Sequence, residues 1–265
     1  MSDLPQRRTL RSMTPARIAL GRTGASLPLT EVLALQVAHA LARDAVHLPL
    51  DLAPLLNWLK VRSFQGLLVH SAAASREIYL RRPDLGRRLD ADSRARLAQV
   101  ESGAPDLIVV VADGLSAAAV HKQAIPFLDS FLPLVATRGW RLAPLVIARQ
   151  ARVALGDEIA DGLGARAVLV LIGERPGLSS PDSLGAYLTL NKAGAKTDAD
   201  RNCVSNIRPE GLAPHLAADK AARLLAAAFQ RGMTGVNLKD EDEPILAPLP
   251  SDHHNRCQVP GNSLT

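Results

Sequence analysis

Two short clusters in this sequence set ionisable side chains beside glycine, where a ligand could be held. Asp113-Gly114-Leu115-Ser116 places a carboxylate, a glycine and a hydroxyl close together. A glycine at such a point lets a ligand approach the backbone, and the start of a helix offers free N–H donors. The alternative is that Asp113 or Ser116 only caps a helix. In Gly173-Glu174-Arg175-Pro176-Gly177-Leu178 the needs of a turn account for Gly173, Pro176 and Gly177. They do not require Glu174 and Arg175 side by side, although an ordinary loop with a solvated ion pair would also carry them. A third polar cluster is Asp200-Arg201-Asn202-Cys203-Val204-Ser205-Asn206-Ile207. A nucleophilic thiol needs a base beside it, and none is near Cys203 in sequence, so packing is the preferred role.

Other chemistries lack their residues. His253, His254 and Cys257 superficially resemble metal ligands, but no fourth ligand is in view. His39, His47, His70, His121 and His215 are isolated. There is no GxGxxG, Walker A, HExxH or GxSxG pattern, so the common nucleotide and hydrolase readings lack support. Cys203 and Cys257 are far apart and neither sits in a CxxC, which argues against a disulfide framework or a zinc ribbon. The formal charge of +5 could suggest a polyanionic partner. However, only six of the 31 basic residues are lysines, as a GC-rich genome writes by default, and aromatics make up 3% of the chain. A nucleic-acid interface needs clustered basic residues and stacking aromatics, so no nucleic-acid partner is expected. No apolar run reaches the ~18 residues that would span a bilayer. The start, Met1-Ser2-Asp3-Leu4-Pro5, lacks the apolar core of a secretory signal. The expectation is a soluble cytoplasmic protein with no membrane partner.

The elements that must position these clusters follow from periodicity. Residues 1–13 read as a flexible arm. Apolar residues recur at helical spacing from Leu27 to Val46, a shorter helix follows from Asp51, and Ser75 to Val100 is dense in helix formers. Residues 14–100 are thus expected to be all-helical. After Gly103-Ala104-Pro105 the texture changes. Asp106 to Val111, Leu142 to Ala148, Ala167 to Ile172 and Leu184 to Leu190 read as strands, the first and third with the continuous apolar character of strands buried on both faces. Helices are expected through Leu134, from Asp157 to Leu163, and from Pro214 to Arg231 before Gly232. Strands alternating with helices predict a mainly parallel α/β sheet flanked by helices over 101–239. In such sheets ligands bind at the carboxyl ends of strands, where the Asp113 and Gly173 clusters fall. Residues 240–265 read as a disordered tail.

Taken together, five stretches resemble the small (light) subunit of ethanolamine ammonia-lyase. They are Thr14 to Gly24 (TPARIALGRTG), Tyr79 to Leu89 (YLRRPDLGRRL), Ala112 to Ser116, Val168 to Leu178, and Asp200 to Ile207 (DRNCVSNI). They span residues 14 to about 238, nearly the whole chain apart from its ends.

The resemblance implies a Rossmann-like domain over 101–239, and a preceding helical region that grips a catalytic large subunit in a hetero-oligomer. It implies adenosylcobalamin as cofactor, bound between the subunits, and conversion of ethanolamine to acetaldehyde and ammonia by a radical route. The substrate and the radical chemistry would sit on the large subunit. This chain would face the lower side of the corrin and its nucleotide tail, with little or no activity alone. Carried over by motif, cobalamin contacts fall on Val153, Glu174 and Cys203. Asp113, Ser116 and Arg175 join them from strand-end placement. The Asp-x-His-x-x-Gly cobalamin motif is absent, which fits the base-on mode of the family. The short arginine-bearing arm leaves open whether the protein enters a bacterial microcompartment. The rival readings are a stand-alone nucleotide- or cofactor-binding enzyme on the same fold, and a regulatory protein that senses cobalamin.

Overall fold

The computed structural model describes residues 11–239 except 15, 102 and 195. The tail residues His253, His254 and Cys257, and most of the arm, lie outside that range. The chain forms helices α1 (Leu29–His47) and α2 (Ala53–Val61), strand β1 (Gly66–His70), and helices α3 (Arg76–Arg81) and α4 (Ala91–Leu97). There follow β2 (Leu107–Ala112), α5 (Ala117–Thr137), β3 (Leu145–Arg149), α6 (Leu155–Gly162) and β4 (Ala167–Gly173). Strands β5 (Leu184–Leu190) and β6 (Arg201–Ile207) and helix α7 (Pro214–Arg231) complete the fold.

Six strands make one sheet in the order β1-β3-β2-β4-β5-β6. The first four are parallel, while β5 and β6 add antiparallel. This is a mixed α/β fold with a mostly parallel sheet. Alternation along β2 explains its two layers. Leu107, Val109 and Val111 face a core shared with α5 and α7, whereas Ile108, Val110 and Ala112 face one shared with α6. Every residue of β2 and β4 is buried, as expected of strands covered on both sides.

The first hundred residues are not all-helical, because β1 lies within them and pairs in parallel with β3. It escaped a pattern reading because it is a five-residue edge strand with a single β-branched side chain, and only Val69 is buried. The 201–207 cluster is also a strand. A register shift between the Leu184↔Ile207 and Ala186↔Val204 pairs puts a bulge in β6, so its buried Val204 and Ile207 lie three residues apart rather than two. Strand β3 starts three residues later than Leu142, after Pro144, which has no N–H for the ladder. Gly232, at φ 65°, ends α7 where expected.

Helix α1 is unusual in what it leaves uncovered. Its small residues Ala38, Ala42 and Ala45 face the body, while Leu29, Leu33, Val37 and Leu41 form an exposed stripe at four-residue spacing. No helix among the described residues is long and apolar enough to cross a membrane.

Candidate functional site

The carboxyl ends of β2 and β4 meet in a cleft of about 370 Å³. Gly114 turns the chain there at φ 56°, and Leu115 N–H donates to the Gly173 carbonyl at 2.9 Å. The two backbones are too close for a side chain between them. A Cβ on Gly114 would meet the Gly173 carbonyl oxygen, and one on Gly173 would lie 2.7 Å from the Asp113 carbonyl oxygen. Ser116 is fully buried and caps α5. Its hydroxyl accepts from Ala119 N–H at 3.2 Å and donates to the Pro181 carbonyl at 2.7 Å. That hydroxyl is spent on the floor of the cleft.

Asp113 is likewise beneath the cleft, at 3% exposure. Its two oxygens accept from Gln150 N–H at 2.8 Å and Ala151 N–H at 3.1 Å, which holds the turn after β3. Gln150 sits in the left-handed region at φ 52°, so this turn needs such a tether. Burial pushes the Asp113 carboxyl up, while the two amide hydrogen bonds and Arg76 pull it down. The tethered turn delivers Arg152 and Val153 to the cleft wall. Tyr79, fully buried, has two guanidinium groups against its ring, with Arg76 4.8 Å and Arg152 4.4 Å from its centroid. Its hydroxyl donates to the Ala151 carbonyl at 3.1 Å, and desolvation first of all pushes it up to about 12.

Across the cleft, Glu174 is anchored by Ser183, whose hydroxyl donates to its Oε2 at 2.5 Å, and by Asn206 N–H at 3.3 Å. It is therefore not in the ion pair with Arg175 that a plain loop would give. Arg175 is exposed at the cleft wall, with no hydrogen bond or ion pair among the described residues. Gly185 lies under Glu174 and Tyr187, and a Cβ there would come within 2.9 Å of Glu174 Oε1 and of Tyr187 Cε2. Tyr187 on β5 pairs with Cys203 on β6, and their side chains hydrogen-bond. Desolvation comes first in raising both groups. Glu174 raises both further, while the shared hydrogen bond raises Tyr187 and lowers Cys203. A thiol held protonated in this way is a poor nucleophile. Beyond the cleft, Cys203 and Ser205 leave this face of β6 open.

Val153, Glu174 and Arg175 thus line one cleft, Cys203 reaches it through Tyr187, and Asp113 and Ser116 support it from below. Sequence reasoning missed Tyr79, Arg152 and Tyr187. Tyr79 and Arg152 gave a signal only by position, at the start of the 79–89 stretch and next to Val153, and Tyr187 gave none. No group of three or more metal-ligating side chains occurs among the described residues. The cleft lining offers apolar surface, one carboxylate and two guanidinium groups.

The model of the family "Ethanolamine ammonia-lyase light chain (EutC)" matches residues 5–239. The ethanolamine ammonia-lyase small subunit of Xanthomonas campestris pv. campestris (strain ATCC 33913) is 56% identical over 241 residues, 89% of each chain. That of Azotobacter vinelandii is 55% identical over 237 residues, 88% of each chain. That of Pseudomonas putida (strain ATCC 47054) is 56% identical over 237 residues, covering 88% of this chain and 87% of the relative. With its glycine-tight strand ends and the residues around them inside the matched range, this chain belongs to the ethanolamine ammonia-lyase light-chain family.

Proposed function

We propose that the chain is the small subunit of an ethanolamine ammonia-lyase and holds adenosylcobalamin against a large subunit, in the cytoplasm or within a microcompartment there. The observation that carries this reading is the gathering of Val153, Glu174 and Cys203, from three separate segments, around Tyr187. The four parallel strands covered by helices support a Rossmann-like cofactor domain over 101–239, with β1 added from the preceding region.

The residues suit that cofactor. Val153 and the tyrosine rings give apolar surface for a ring system, and Glu174 can accept N–H bonds from the amide groups around a corrin. Gly185 keeps the surface beneath Glu174 flat. A corrinoid is larger than a cleft of about 370 Å³, so this chain covers one part and a partner closes the rest. When bound, adenosylcobalamin would supply the radical chemistry for the conversion of ethanolamine to acetaldehyde and ammonia. The residues of this chain bind and orient, and the substrate-binding groups belong to the large subunit.

Co-expression with the cognate large subunit, followed by an ethanolamine deamination assay with and without adenosylcobalamin, tests the reading. Cofactor-dependent activity only with both chains is expected. Turnover by this chain alone would replace it with a stand-alone enzyme. In the complex, Glu174→Ala is expected to weaken cobalamin binding roughly ten- to hundredfold, as loss of a hydrogen bond to a charged group does, and to leave assembly intact. Loss of assembly with normal cofactor affinity would contradict the role given to Glu174.

The exposed stripe of α1 supports placing the large subunit on the 14–100 region. Leu33 and Val37 are 50% and 59% exposed, so aspartates there are tolerated by the isolated chain. They would be desolvated in an interface at a cost of several kcal/mol. Leu33→Asp with Val37→Asp is expected to abolish co-purification of the large subunit without changing the circular dichroism of this chain. Normal co-purification would move the interface elsewhere.

A further inference from the structure

A second, largely apolar groove of about 230 Å³ opens between α2 and the latter half of α5, toward the amino ends of the parallel strands. It lies at the opposite end of the sheet from the cleft. Trp58 and Phe64, stacked at 5.8 Å with 10° between their planes, face Leu132 and Pro133 across it. Asp129 takes up the polar atoms at the rim. It accepts from the Trp58 indole N–H at 2.8 Å and pairs with Arg62 at 2.6 Å. With those atoms satisfied, what the groove offers a ligand is aromatic and aliphatic surface. Such surface suits a proline-rich segment, because proline has already fixed its φ and docks on aromatic grooves at little entropic cost.

The chain carries such a segment. Pro244-Ile245-Leu246-Ala247-Pro248-Leu249-Pro250 follows directly on Asp240-Glu241-Asp242-Glu243, beyond the described residues and beyond the range 5–239 matched by the family. Five carboxylates and one arginine lie past Lys239, so residues 240–265 carry −4 and residues 1–239 carry +9 of the chain's net +5. The chain leaves the described range at the matching end of the sheet. The Leu238 carbonyl accepts from Asn202 Nδ2 at 2.9 Å, at the start of β6. From there toward the groove, exposed cations stand along the amino edge: Lys192 after β5, Arg166 before β4, Arg141 before β3 and Arg138 after α5. Arg141 and Arg166 share one carboxylate, Asp106, so this edge keeps an excess of positive charge. The reach is sufficient. β6 and β1 are at opposite ends of the strand order, about 24 Å apart at ~4.8 Å per step. The stretch from Lys239 to Pro248 extends to roughly 30 Å.

We infer that residues 244–250 of this chain occupy the Trp58–Phe64 groove, with the acidic run 240–243 laid across the basic edge that leads to it. The groove is then a peptide site whose proline-rich ligand is tethered to the same chain. Tethering raises the local concentration of the segment to the millimolar range, so modest contacts suffice. The inference is independent of the cofactor reading.

The test titrates synthetic peptides into the full chain by calorimetry. Leu246→Ser with Leu249→Ser strips the tethered segment of its large side chains and opens the groove. A peptide of residues 240–250 is expected to bind this double variant at one site. It should bind the wild type at least about tenfold more weakly, because the tethered segment competes. Ala136→Glu, at an exposed position on the groove wall, is expected to abolish peptide binding by the double variant without changing its circular dichroism. A peptide of residues 244–250, without the acidic run, should bind about tenfold more weakly at low salt, with the gap closing as salt screens the basic edge. No binding by the double variant, equal binding by the double variant and wild type, or binding that survives Ala136→Glu overturns the inference. Equal affinity of the two peptides overturns the role given to the acidic run. Competition that grows with wild-type concentration, together with dimers in sedimentation, would assign the segment to a second copy and overturn its place in the same chain. Loss of peptide binding when the double variant is in complex with the large subunit would make that subunit the occupant instead.

Discussion

Gly173→Ala is expected to lower the melting temperature by roughly 10 °C or more, or to leave no folded protein at all. The added Cβ would meet the Ser116 carbonyl group, 2.6 Å from its carbon, and would lie 2.7 Å from the Asp113 carbonyl oxygen. These obstacles are backbone atoms at the joint between β2 and α5, and the Ser116 carbonyl also accepts from Ala119 N–H in the first turn of α5. A flexible side chain could step aside, but this joint can only open. Overpacking of a well-packed core costs about 1–3 kcal/mol and occasionally more, and here the yielding part is a strand end bonded to its neighbour. At about 2–4 °C per kcal/mol for a chain of this size, the upper end of that range gives the stated shift. Gly139→Ala is the control, since nothing lies within 4 Å of its Cβ position and only its φ of 65° is penalised. That penalty is about 1 kcal/mol. Thermal melts of both variants decide the matter, and similar melting temperatures would mean that the strand ends separate more freely than their contacts indicate.

How far the sequence discloses this fold depends on where each segment buries its side chains. Asp106 to Val111 was readable because β2 is covered on both faces, so every position is apolar. The α7 boundaries were readable because Pro214 and Gly232 punctuate them. Strand β1 was hidden by its edge position, and β6 by a bulge that breaks the two-residue period. The site divides in the same manner. Glu174 and Arg175 stood out because adjacent charges are not what a turn needs, and Val153 and Cys203 came only from the resemblance. Tyr79 and Arg152 are 73 residues apart and meet only because β3 returns to the sheet beside β2. Tyr187 acquires meaning only from its partner across the ladder, Cys203. No local pattern encodes such pairings. Asp113 and Ser116 were conspicuous for a real reason, since polar groups at a strand end need partners. The partners are the protein's own backbone, which holds both groups beneath the cleft.

Asp113→Asn should show how that indirect role works. The carboxylate gives an acceptor to each of two amides, Gln150 N–H and Ala151 N–H. An asparagine has one carbonyl oxygen, so its NH2 group must face one of these donors. The loss of a charge-assisted bond and an amide left unsatisfied together cost about 2–4 kcal/mol, less whatever is regained by no longer burying a charge. Because the tether fixes Gln150 at φ 52°, its failure lets the turn relax and displaces Arg152 and Val153, which follow Ala151. The melting temperature and cobalamin affinity of the complex are therefore expected to fall together, although Asp113 touches no ligand. The pH dependence carries a separate sign. Burial raises the carboxyl above the usual aspartate value of about 4. Between that value and the raised one, the folded protein keeps a proton that the unfolded chain has released. Stability relative to Asp113→Asn should therefore decline as the pH rises through this window and level off above it. Melts of the two proteins across the acid range would test the sign. An unchanged difference at every pH would mean that Asp113 titrates as it does in the unfolded chain, and unchanged cobalamin affinity would mean that the turn is held by Ser71 and Arg76, its other contacts.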